Sequence, residues 1–261
     1  MLFAANLSIL WPNLPLAERF EHAARAGFGA VELWWPGAAD AQALPGLAAR
    51  WDLRVVLLNF DAGDMAAGER GLAADPGRRE HLRDHVPAAL EVARACGCPR
   101  LNLLVGLRQQ RYSLDEQLSC ARDNAAWAAD LAARAGCEVM IEAVNPADNG
   151  PCLLTTTGAS AGFIGQVGRP NVRLQYDVYH MQRTEGDICA TLDAYWPLIG
   201  HIQIADVPGR HEPGTGEINY PFVLDHIAGK GYRGAVSLEY HPSTGRAEDT
   251  FGWLEAYLAV R

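Results

Sequence analysis

No run of Lys and Arg in this sequence is dense enough to track a phosphate backbone, and 31 Asp and Glu outnumber 22 Lys and Arg, for a formal net charge of -9. That balance argues against nucleic acid as a partner. No apolar stretch approaches the ~20 residues of a membrane span, so no membrane association is expected. The apolar opening Met1-Leu2-Phe3-Ala4-Ala5 lacks a basic leader segment and soon meets Asn6. It reads as a first strand and not as a signal peptide, and a soluble, cytoplasmic protein is expected. The six cysteines show no Cys-x-x-Cys pairing, which leaves reduced, packed thiols as the expectation. Also missing are a Gly-x-Gly-x-x-Gly turn after the first strand, a Pro/Ser-rich linker and a fixed-period repeat. These absences count against a dinucleotide-binding sheet, a second domain and a solenoid.

What is present is a regular alternation. With 261 residues, 49% of them hydrophobic, the chain can bury a substantial core. Short apolar runs at residues 2–6, 30–34, 53–58, 100–105, 138–142, 171–177, 199–204 and 234–239 read as strands. Helical spacing covers residues 16–26, 78–96, 114–135, 157–167, 187–195, 222–229 and 248–260. A further Ala/Leu-rich helix is expected at about residues 41–50, with Asp40 as N-cap and Pro45-Gly46 inside it. Eight strands alternating with helices call for a parallel sheet with right-handed crossovers. A (β/α)8 barrel uses about 250 residues, so the expectation is an α/β protein consisting of a single TIM barrel over residues 1–261.

The fifth to eighth strands each carry a polar side chain that the apolar run does not explain. Residues 139–141 run into Glu142, residues 172–176 into Asp177, and residues 235–238 into Glu239; Gln203 sits within its strand, where an unpaired amide is costly. One such residue is most simply a strand-end cap or an ion-pair partner. Four on consecutive strands would converge on the carboxyl-terminal mouth of a barrel, where barrel chemistry sits. All four are hard oxygen donors, which suits Mg²⁺ or Mn²⁺ better than structural zinc. Glu142, Asp177, Gln203 and Glu239 are therefore the candidate ligands of a divalent metal ion. Two carboxylates facing each other across a bound hydroxy-oxo compound can also move a proton between adjacent carbons through an enediolate, and Glu142 and Glu239 are the candidates. His180 follows Asp177 by three residues, in a loop above the proposed ion, and is a candidate substrate-binding group. Arg210, with His211, brings the positive or donor character that a carboxylate substrate needs. Trp34 and Trp35 are candidates for a pocket wall. The long loop at residues 61–71 reads as functional or mobile.

The chain resembles the hydroxypyruvate isomerase family within the xylose-isomerase-like barrels. The resemblance is carried by Gly63-Asp64-Met65-Ala66-Ala67-Gly68-Glu69-Arg70-Gly71, by Ile141-Glu142-Ala143-Val144-Asn145, by Gln175-Tyr176-Asp177-Val178-Tyr179-His180-Met181-Gln182-Arg183, and by the long loop from Gly209-Arg210-His211-Glu212 to Ile218-Asn219-Tyr220. It implies an isomerase interconverting hydroxypyruvate and 2-hydroxy-3-oxopropanoate (tartronate semialdehyde). It further implies that the positions of Glu142, Asp177, Gln203 and Glu239 hold the ion and that the two glutamates donate and accept the proton. The partner is then a small hydroxy-oxo acid, and self-association as a homo-oligomer is left open. The sequence departs from the family at His241, where Lys is common, and at Met65, where Trp is frequent. The competing expectations are a 2-oxo-tetronate isomerase or a ketose 3-epimerase on the same scaffold, and a non-enzymatic barrel that binds a sugar acid.

Overall fold

The computed structural model describes residues 1–259. Eight parallel strands form a closed barrel in sequence order: β1 (Leu2–Asn6), β2 (Ala30–Leu33), β3 (Arg54–Asn59), β4 (Arg100–Asn102), β5 (Glu138–Glu142), β6 (Val172–Asp177), β7 (Ile199–Ile204) and β8 (Ala235–Leu238). The pairing of Leu2 with Ala235 and of Ala5 with Leu238 closes the ring. The strands are buried almost throughout because helices cover the outside while side chains fill the inside, so they read as apolar runs without a solvent face. The expected TIM barrel is thus the observed one.

Local chemistry explains most helix ends. The long helix Leu114–Arg134 opens on a capping box, in which Ser113 and Glu116 each satisfy the other's backbone N–H. The expected helix at residues 41–50 is two pieces, Ala38–Ala41 and Leu44–Trp51. Pro45 sits in the first turn of the second piece, where its missing N–H breaks no bond. β4 stops at Asn102, short of residue 105. The expected helix at residues 248–260 divides into a 3-10 turn, Ala247–Thr250, and a helix, Gly252–Ala259; Val260 lies outside the described residues. Among the described residues no helix is long and apolar enough to cross a membrane.

One correction bears on the site. Residues 178–184, expected as loop, form a short helix directly after β6, and Asp177 caps it by accepting the Tyr179 N–H at 2.8 Å. Tight capping by a strand-end carboxylate leaves no loop between strand and helix. His180 therefore sits on the first turn of a helix, at a fixed height above the barrel.

Candidate active site

The strand ends deliver their polar groups to one place. Glu142 and Asp177 are the last residues of β5 and β6, Gln203 pairs in register with Asp177, and Glu239 follows β8. All are buried: Glu142 is 6% exposed, Asp177 1%, Gln203 1% and Glu239 5%. One ligand atom each from Glu142, Asp177, His180 and Glu239 lie within 4.8 Å of one another. Three carboxylates so close, away from water, repel one another as ions. Burial pushes the Glu142 carboxyl well up, and Glu239 and Asp177 push it further. Burial also drives Glu239 up to about 8, with Arg210 opposing and Asp177 reinforcing the rise. Asp177 is raised by burial too, though Arg210 and the N–H groups of Tyr179 and His180 restrain it. The buried Asp177 Oδ2 has no hydrogen-bond partner among the described residues. Three carboxylates offset by a single arginine, with one orphaned oxygen, fit a divalent cation, whose charge relieves the repulsion and satisfies the orphan.

A layer of amides beneath holds the carboxylates apart in role. Glu142 Oε2 accepts from Asn102 Nδ2 at 2.8 Å and from Gln175 Nε2 at 3.0 Å. Its other oxygen, Oε1, lies 3.8 Å from His180 Nε2. Glu239 Oε1 accepts from Asn6 Nδ2 at 3.0 Å and Trp34 Nε1 at 2.9 Å, and Oε2 accepts from Arg210 Nη2 at 2.6 Å. Gln203 donates to Glu32 at 2.7 Å and accepts from Gln175 at 2.7 Å.

The tautomer of His180 follows from its neighbours. Asn145 Oδ1 accepts the Asp148 backbone N–H at 3.0 Å while its Nδ2 donates to the Asp148 carboxylate at 3.1 Å, which fixes the amide orientation. Asn145 Nδ2 also meets His180 Nδ1 at 2.7 Å, so Nδ1 is an acceptor and the ring proton sits on Nε2. Burial, with Arg210 and Arg183 nearby, holds the His180 ring well below its usual range, and it is neutral. Its Nε2–H points towards Asp177 at 3.5 Å and Glu142 at 3.8 Å.

Arg210 reaches the cluster from the loop after β7, bonding Glu239 and lying 3.5 Å from Asp177. The loop is built around the buried Asp206 carboxylate, which accepts the N–H groups of Val207, Gly214, Gly216 and Ile218 at 2.9 to 3.1 Å. A Cβ on Gly216 would fall 1.9 Å from the Val207 carbonyl oxygen, so this close approach requires glycine. His211, by contrast, turns to the His241 carbonyl and does not line the cleft. Trp34 lines the cleft, whereas Trp35 packs edge-on against His85 at 4.6 Å.

Sequence reasoning passed over Asn6, Glu32, Arg70, Asn102, Asn145 and Gln175. The signal for Glu32 was available, since it interrupts an apolar strand as Gln203 does. The amides of Asn6 and Asn102, at strand ends, look like ordinary turn residues.

The cleft above the cluster is narrow, about 40 Å³, and is walled by Trp34, Met65, Arg70, Asn149 and Arg210. A larger cavity of about 460 Å³ opens at the opposite end of the barrel among Pro45, Arg54, Pro99 and Arg233. It gathers no carboxylate cluster and lies at the end where barrel residues serve stability, so the site is placed at the carboxyl-terminal mouth. Residues 20–257 match the model of the xylose isomerase-like TIM barrel. The chain belongs to that family. It is 41% identical to the hydroxypyruvate isomerase of Escherichia coli strain K12, over 98% of each chain. It is 39% identical to the 2-oxo-tetronate isomerase of Cupriavidus necator, again over 98% of each. A crystal structure of an AP endonuclease of family 2 from Brucella melitensis superposes with a TM-score of 0.93 at 38% identity, covering 98% of both chains. Within this family the buried Glu142, Asp177, His180 and Glu239 cluster is of the type that holds a divalent metal ion.

Proposed function

We propose that this protein is a sugar-acid isomerase that interconverts hydroxypyruvate and 2-hydroxy-3-oxopropanoate by proton transfer between Glu142 and Glu239. The observation that carries the reading is the pair itself: two buried carboxylates beside one candidate ion site, each with a different set of donors. Isomerisation requires a proton to leave the hydroxymethyl carbon, another to reach the carbon bearing the carboxylate, and the hydroxyl proton to pass to the former carbonyl oxygen. One glutamate takes the first and the other delivers the second. Burial raises both carboxyls, Glu142 well up with Glu239 and Asp177 adding to it and Glu239 to about 8 with Asp177 adding to it, which makes each a better proton acceptor.

Glu142, Asp177, Gln203 and Glu239 are the groups that would hold Mg²⁺ or Mn²⁺. A divalent cation, when bound, supplies the positive charge that stabilises the enediolate oxygens. His180, carrying its proton on Nε2 and aimed into the cluster, is assigned as a hydrogen-bond donor to a substrate oxygen and not as an ion ligand. Arg210 spans Glu239 and Asp177 and orients the Glu239 carboxylate. Trp34 and Met65 line the cleft and give it an apolar wall.

A 2-oxo-tetronate isomerase is the second reading, favoured by the 39% identity to such an enzyme. The same proton transfer serves a four-carbon acid. A DNA substrate is not favoured, because a net charge of -9 repels a phosphate backbone. The test is an assay of hydroxypyruvate, 2-oxo-tetronate and a neutral ketohexose beside the Glu142→Gln and Glu239→Gln proteins. The three-carbon acid should give the highest kcat/KM, and each variant should lose about 10²- to 10⁴-fold in kcat while remaining folded. Near-normal turnover in either variant would contradict the mechanism, and preference for the ketohexose would contradict the substrate class.

A further inference from the structure

Two arginines line the cleft, and the chain treats them differently. Arg210 is matched by Glu239 and Asp177. Arg70 pairs with no carboxylate among the described residues. Its Nε donates to Asn149 Oδ1 at 2.9 Å, and its Nη1 donates to the carbonyls of Met65 at 2.9 Å and Glu69 at 2.8 Å, all neutral acceptors. Nη2 has no hydrogen bond among the described residues. The guanidinium is thus held through Nε and Nη1 while Nη2 keeps its hydrogens unengaged, in the wall that also contains Glu142, His180 and Glu239.

The backbone beneath it is equally fixed. Gly71 has φ +120°, bridges to Val105, and gives its N–H to Ala62 at 2.9 Å. A Cβ at Gly71 would lie 2.3 Å from the Leu104 carbonyl oxygen, so only glycine permits the loop to pass this close to the strand-4 connection. Asn149, in turn, is held by its own donation to the Asn145 carbonyl at 3.2 Å. Arg70 needs little reorganisation to receive a ligand.

Charge completes the case. Glu142, Asp177 and Glu239, when ionised, carry three negative charges against one on Arg210, and a divalent cation cancels the remaining two. Arg70 is then the arginine of the cleft wall left without a carboxylate partner among the described residues, and an anion entering the cleft would balance it. We propose that Arg70 receives the carboxylate of the substrate and makes the site select acids over neutral sugars. This rests on the isomerase reading of the same site and deepens it by assigning the group that sets substrate class. A cationic guanidinium with Nη2 unengaged offers a carboxylate charge-assisted hydrogen bonds.

The test compares glycerate with glycerol, an unreactive pair that differs in carrying a carboxylate or a hydroxymethyl group, by competition binding to the Mn²⁺-loaded protein. Wild-type protein should prefer glycerate. Arg70→Gln should weaken glycerate by about 10- to 100-fold, as expected for losing a charge-assisted contact, and leave glycerol within about twofold. Arg70→Lys should recover part of the loss, and KM for the acid substrate should rise more than kcat falls. Equal weakening of both probes by Arg70→Gln, or no preference in the wild type, would overturn the assignment. If wild-type protein turns over neither acid yet shows the Arg70-dependent preference, the isomerase reading falls and the Arg70 assignment stands. If acids turn over but Arg70→Gln binds glycerate normally, the assignment falls and the isomerase stands.

Discussion

Gln203 gives its amide hydrogen to Glu32 at 2.7 Å, which turns its oxygen to the opposite side, where Gln175 meets it at 2.7 Å next to Glu142. Burial pushes the Glu32 carboxyl up, but His201, 2.6 Å away, with Gln203 and Ser237, outweighs burial and holds it below the usual range. An ionised carboxylate only accepts, so it can bind the amide nitrogen and never the oxygen. Replacing Glu32 with Gln removes that discrimination. Glu32→Gln should weaken Mn²⁺ binding by about 10-fold or more, as for other groups that orient metal ligands. It should also lower Tm, because the buried His201 loses its charged partner. Mn²⁺ titration followed by electron paramagnetic resonance checks the first effect; unchanged affinity would show that Gln203 is held some other way or does not bind the ion.

Ion binding should be visible as stability. The unliganded cluster stores repulsion among Glu142, Asp177 and Glu239 that a cation relieves. Saturation with Mn²⁺ at about 100 times its Kd should stabilise the fold by about 2.7 kcal/mol. Removing the ion with a chelator should abolish turnover and lower Tm while leaving the far-ultraviolet circular dichroism of a barrel. Scanning calorimetry at rising Mn²⁺ measures this, and a Tm independent of Mn²⁺ would contradict an ion site in the cluster.

A histidine away from the cluster sets a pH limit. His85 Nε2 accepts the Asp61 N–H at 2.9 Å, with Trp35 and Phe60 packed edge-on against the ring. Burial lowers its pKa to about 4 from an unfolded value near 6.5, with Asp61 opposing the fall and His81 adding to it. The unfolded chain therefore binds more protons between those two values, and stability rises with pH across that window. The contribution is complete above about pH 6.5 and is lost as pH falls towards about 4. Denaturant unfolding at several pH values should show a loss of stability below pH 6.5 that is smaller in His85→Gln. Equal pH slopes in the two proteins would contradict it.

The barrel was legible because its signal is global. Eight apolar runs separated by helical spacing survive errors of a few residues at any one end, and closure follows from their number. The carboxylates were legible because Glu142, Asp177 and Glu239 each interrupt apolar strands in the same relative place. What stayed hidden depends on contacts between distant residues. Asn6 joins Glu239 across 233 positions, and Glu32 meets His201 across 169, so no local pattern announces either. Arg210, expected as a substrate contact, also pairs with Glu239 and Asp177, which sequence does not show. Residues 178–184 looked like loop because the helix there owes its start to a carboxylate that also reads as a ligand.

The most direct measurement is the fate of the migrating hydrogen when hydroxypyruvate is turned over by the Mn²⁺-loaded protein in D₂O. Proton transfer by Glu142 and Glu239 predicts one solvent deuterium on the carbon bearing the carboxylate in each 2-hydroxy-3-oxopropanoate formed, read by nuclear magnetic resonance. Product that keeps the original hydrogen and takes up no solvent deuterium would show direct hydride migration, and would contradict a proton path through the two glutamates.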